Sequence, residues 1–109
     1  MLEGKYAEAT LDYEALKEVD PESELVDFKL VLCAVLSGEQ SKARGIADLM
    51  KFPGKTPAYY YARAAIALRE GGKEAAQKYY DNVKKYYSEE QCRYFVQALK
   101  EIDLTSSTP

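Results

Sequence analysis

The stretch GKYAEATLDYEALKEVDP, residues 4–21, decides how the rest of the 109-residue chain is read. It opens on a glycine, passes a small residue at Ala9, carries Tyr6, Tyr13 and Leu16 at helical spacing and stops at Pro21. Two later stretches repeat the order of glycine, polar spacer, small residue and helical apolar series: GEQSKARGIADLMKFP, residues 38–53, which also ends on a proline, and GGKEAAQKYYDNVKKYY, residues 71–87. Gly4 to Gly38 is 34 residues and Ala9 to Ala43 is 34; Gly38 to Gly71 and Ala43 to Ala76 are both 33. A fixed period of this size marks stacked supersecondary units, each too small to bury its own apolar face.

Each block has a physical reading. A glycine closes the preceding helix because it takes a left-handed conformation without a Cβ penalty. Ala9, Ala43 and Ala76 are small where two helices approach closely. Larger residues continue that face: Tyr6, Tyr13 and Leu16, then Ile46, Leu49 and Met50, then Tyr80 and Val83. Pro21 and Pro53 stop their helices.

Between the blocks lie partner helices. SELVDFKLVLCAVLSG begins at Ser23, a capping residue, and is apolar nearly all round, so it is expected to be buried on several sides. TPAYYYARAAIALREGG begins at Thr56 with Pro57 at the first helical position, and its alanines favour tight packing. SEEQCRYFVQALKEIDL begins at Ser88 and gathers Cys92, Phe95, Val96, Leu99 and Ile102 in one stripe, with Glu90, Arg93, Gln97, Lys100 and Glu101 on the other side. This is the pattern of a capping helix, and TSSTP is expected to be a disordered tail.

Composition agrees with one folded domain: 47% hydrophobic and 30% charged residues, with 6 glycines and 4 prolines. The longest apolar run, Leu30 to Leu36, is far short of the roughly 20 residues of a membrane span. Cys33 and Cys92 lack metal-site spacing and read as reduced thiols, which fits a cytoplasmic setting. The net charge of −3 is unevenly spread. Residues 1–27 carry nine acids against two lysines, a balance of −7, and the remainder carries nine acids against thirteen bases, +4. Such polarity suits head-to-tail contacts or an oppositely charged partner, although solvated helix faces would give it too.

The blocks resemble the tetratricopeptide repeat family, whose units are helix pairs of 34 residues. Gly4, Tyr6, Ala9, Tyr13 and Pro21 fall where the family places glycine, aromatic, alanine, aromatic and proline. Leu30, Gly38 and Ala43 match in the second unit, where Ala47 replaces an aromatic, and Tyr60, Ala64, Gly71, Ala76 and Tyr80 match in the third. TPAYYYARAAIALREGGKEAA also looks like tetratricopeptide proteins of bacteria. The resemblance implies an all-α, right-handed α-α superhelix of about six helices. Residues 4–20 would be the second helix of a first unit, 23–52 unit two, 56–87 unit three and 88–103 the cap, with 105–109 the tail. The first unit would then lack its leading helix, either because the chain is a segment of a longer protein or because a partner supplies it.

The absence of histidine removes histidine-based triads and the commonest zinc ligand. GGK in REGGKEA lacks the preceding strand and glycine spacing of a phosphate loop. No cofactor is implied, and nucleic-acid binding is disfavoured by a net acidic chain without a basic stripe. The ten tyrosines divide between core packing and recognition surfaces.

By carry-over from the family, Leu25, Phe28, Lys29, Leu32 and Leu36 from one helix and Tyr61, Ala65, Leu68 and Arg69 from the next would line a concave groove. Phe28 and Leu32 stand where a carboxylate clamp would need lysine and asparagine, so an amphipathic helix or apolar peptide suits the groove better. The expected function is a non-catalytic protein–protein interaction scaffold, with Phe28→Ala or Tyr61→Ala removing binding but sparing the fold. A small secretion chaperone and a self-association module, the latter through an exposed first half-repeat, are the alternatives.

Overall fold

The computed structural model describes the backbone of residues 2–50 and 54–107 and the side chains of residues 8–50 and 54–99. Among these are six helices and no strand: α1 Leu2–Val19, α2 Glu24–Leu36, α3 Gln40–Leu49, α4 Ala58–Arg69, α5 Lys73–Tyr86 and α6 Glu89–Ser107. Extents of 38 × 37 × 23 Å describe a slab about two helix diameters thick. Helices α2, α4 and α6 follow one another side by side; α1 and α3 pack on α2, and α5 packs on α4.

The punctuation residues act as the sequence requires. Gly38 and Gly71 have φ of 81° and 79°, the left-handed turn that lets the next helix fold back. Gly4 lies inside α1, which starts at Leu2, so it closes no helix. The Val26 N–H donates to Ser23 Oγ over 3.3 Å, and the Ala58 N–H to Thr56 Oγ1 over 3.3 Å. At α6 a capping box forms: the Gln91 N–H donates to Ser88 Oγ over 3.2 Å, and the Ser88 N–H returns to Gln91 Oε1 over 3.0 Å. Pro21 follows the end of α1, and Pro53 lies outside the described residues. Helix α6 runs to Ser107, past the expected start of the tail at 105, because no glycine or proline interrupts the chain there.

The core sits on α2 and α4. Phe28, Val31 and Val35 are fully buried, and so are Ala58, Ala62, Ala64 and Ala65. Ala43 and Ala76 are also at 0% exposure, as the repeat register requires of helices in close contact, whereas Ala9, the first of that series, is half-buried; Ala47 is fully buried too. Met50 and Val83 continue the faces of α3 and α5 into the core. Leu49 does not, with 88% of its surface exposed, because it lies about 200° round the helix from Ala47.

Polar ties set the level of the helices. The Glu24 carboxylate at the start of α2 accepts from the Lys55 N–H (2.8 Å), the Thr56 N–H (3.0 Å) and the Thr56 hydroxyl (2.7 Å), so α2 and α4 begin side by side. The Tyr87 hydroxyl donates to the Gly54 carbonyl over 2.7 Å, joining the end of α5 to the same loop. Arg44 pairs with Glu70, and Arg63 with Asp48, between α3 and α4. Lys17 Nζ lies 2.7 Å from Asp27, tying α1 to α2.

Candidate protein-binding surface

The residues carried over as a concave groove do fall on one side of α2 and α4, but the chain's own last helix covers that side. Phe95 of α6 meets Phe28 edge-on with ring centroids 4.8 Å apart and stacks on Tyr61 at 5.6 Å. Phe28 and Tyr61 are buried beneath it, and Leu32, Ala65 and Leu68 are buried as well. With only three helices on this side, one large aromatic from the third reaches the first. At 0–8% exposure none of the five offers a partner the face of an open groove, and Leu32 and Tyr61 reach the surface only at openings beside α6. Truncating Phe28 or Tyr61 would accordingly act on the fold before it acted on binding.

The other four members lie nearer the surface. Leu25 is exposed, whereas Lys29, Leu36 and Arg69 are half-buried. Lys29 Nζ lies 4.7 Å from the Tyr94 ring centroid, a cation–π contact that also bridges α2 and α6. Beside it a shallow opening of about 280 Å³ is lined by Lys29, Leu32, Tyr94, Gln97 and Ala98.

A larger opening lies on the other flank of α6. The turn from α5 to α6 is only Tyr87 and Ser88, and α6 leans along α4 towards α2 and away from α5. This divergence leaves a cleft of about 740 Å³. Tyr61 and Cys92 form its floor, Tyr87 and Val96 its apolar walls, and Lys84, Arg93 and Glu89 its charged rim, with Gln97 at one end. Val96 is 41% exposed and Lys84, Glu89, Arg93 and Gln97 are exposed, so these side chains are available at the surface. Burial, helped by a hydrogen bond to Cys92, pushes the Tyr61 phenol well above its ordinary value of 10.0, and burial also raises Tyr87. Both rings stay neutral at physiological pH; Tyr61 is nearly enclosed and the Tyr87 hydroxyl is held by Gly54, so it is the apolar ring of Tyr87 that faces the cleft.

The sequence pattern placed Val96 in the buried stripe of α6 and Arg93 on its polar side, but it could not reveal that α5 and α6 diverge. The one usable signal was the mixture of Tyr87, Val96 and two cations within a short span. Among the described residues, no three His, Cys, Asp or Glu side chains are grouped to hold a metal ion, and no helix is long and apolar enough to cross a membrane. No protein-family model matches this sequence, and comparison with the curated proteins and with the solved structures finds no match either.

Proposed function

We propose that the chain is a tetratricopeptide-like helical-repeat scaffold with a non-catalytic role, and that it binds a helical segment of a protein partner in the cleft between α5 and α6. Three facts support the repeat reading: the left-handed Gly38 and Gly71, the fully buried Ala43 and Ala76 at equivalent places, and the side-by-side succession of α2, α4 and α6. The binding reading is carried by one observation, the divergence of α6 from α5 that leaves an exposed Val96 and a half-buried Tyr87 between two cations. An apolar strip with flanking charge is how a groove receives an amphipathic helix, the apolar side giving affinity and the rim giving orientation. Lys84 and Arg93 against Glu89 leave the rim net positive, so the favoured ligand has acids beside its apolar stripe.

Fluorescence anisotropy with dye-labelled amphipathic helical peptides, one acidic-faced and one basic-faced, tests this. The acidic-faced peptide should bind and the basic-faced one should not. Val96→Asp, at an exposed position that tolerates substitution, should weaken binding by about tenfold, ~1.4 kcal/mol. Equal binding of both peptides by Val96→Asp and the parent chain would reject the cleft as the site.

A further inference from the structure

We infer that the occupant of the cleft is helix α1 of a second copy, so that the chain assembles head to tail. The inference rests on the cleft being a protein-binding site, and it names the partner. Helix α1 packs on α2, at the opposite end of the succession from α6. Its outer face carries Leu11, Ala15 and Val19 at i, i+4 and i+8, a straight apolar stripe that is exposed throughout. Leu11 is 68% and Val19 83% exposed, unusual for large apolar residues in helical register on a folded domain. Glu8, Asp12 and Glu18, all exposed, flank the stripe.

The two surfaces complement each other in chemistry and length. An acidic-edged apolar stripe on α1 faces an apolar strip edged by Lys84 and Arg93; Glu89 is the one acid on that rim. From Leu11 to Val19 is about 12 Å along a helix, and the α6 wall of the cleft from Glu89 to Gln97 is also about 12 Å. The whole-chain polarity points the same way, with a balance of −7 over residues 1–27 and +4 over the rest. Because the two patches differ and lie at opposite ends, the contact is heterologous. A joined pair keeps one unused patch at either end, which builds an open chain or a ring.

The test uses the full chain and two variants altered only at exposed positions. Leu11→Lys with Val19→Lys spoils the α1 face, and Lys84→Glu with Arg93→Glu spoils the cleft. Circular dichroism establishes that both fold, and light scattering after size exclusion reads the mass. The parent chain should gain mass with concentration and lose it with added salt. Each variant alone should remain monomeric, with self-association weakened about tenfold or more, ~1.4 kcal/mol. Mixed together, they retain one intact interface and should stop at a one-to-one dimer. A parent chain monomeric at every concentration, folded variants that stay monomeric when mixed, or either variant associating like the parent would overturn the inference. Binding of the acidic-faced helical peptide by a strictly monomeric parent would overturn the second-copy assignment while leaving the cleft as a protein-binding site. Failure of both would overturn both.

Discussion

Phe28 provides a test of the core because the sequence placed it in an open groove and the fold encloses it. Its ring is at 0% exposure, in a T-shaped pair with Phe95 whose ring centroid is 4.8 Å away. Replacing it with alanine removes roughly 150 Å² of buried ring. At ~25 cal/mol per Å² that is about 4 kcal/mol, in line with the ~3–5 kcal/mol of buried Phe→Ala changes. A domain of this length has about 5–15 kcal/mol in total, so Phe28→Ala should lie near the edge of folding. Leu25→Ala, one turn away but 43% exposed, should cost under ~1 kcal/mol. Urea unfolding followed at 222 nm, with m compared between variants, measures both. In a double-mutant cycle Phe28→Ala and Phe95→Ala should couple by ~0.5–1.5 kcal/mol, since the second removes the first ring's partner. If Phe28→Ala cost no more than Leu25→Ala, or if the cycle were additive, α6 would not be seated against α2 and the groove would be open after all.

Other perturbations read other parts of the fold. A Cβ at Gly54 would run into the Glu24 carboxylate, so Gly54→Ala should push that carboxylate off Lys55 and Thr56. It should cost ~1–2 kcal/mol in urea unfolding, and it should add little to Glu24→Ala because both remove the same hydrogen bonds. Gly38→Ala meets no neighbour within 4 Å, so its cost of ~1 kcal/mol should come from the left-handed backbone alone, with asparagine milder than alanine there. Burial raises Tyr60, Tyr61 and Tyr87 above the ordinary value of 10.0. Their protonated forms are therefore favoured in the folded state, and their contribution is complete below pH 10 and lost as pH rises through the folded values. Absorbance at 295 nm, followed together with ellipticity, should show these tyrosines ionising only as the helices melt.

The periodic features were legible in the sequence because they are local. Gly38 and Gly71 announce left-handed turns, and Ser23, Thr56 and Ser88 announce helix starts. Ala43 and Ala76 recur where two helices must touch, and each is fully buried. What a one-dimensional pattern omits is which neighbour a face meets. The stripe Cys92, Phe95, Val96, Leu99 and Ile102 says that α6 buries one side, yet Cys92, Phe95 and Leu99 are buried and Val96 is 41% exposed, the Ile102 side chain lying outside the described residues. The stripe is wider than the contact, and its surplus becomes the wall of the cleft. The register puts Leu16 on the inner face of α1, yet it is 49% exposed, because among the described residues α2 is the helix on which α1 chiefly packs. The proposed binding surface is less legible than the fold because it depends on how α6 is set against α5, which the register does not encode.

Hydrogen exchange with mass spectrometric readout, on the full chain with and without a saturating acidic-faced amphipathic helical peptide, tests the placement of the binding surface most directly. Added protection should fall on residues 84–97, around Lys84, Tyr87, Arg93 and Val96, and leave α3 unchanged. Protection centred on α3 and its exposed Leu49, or none anywhere, would contradict the account.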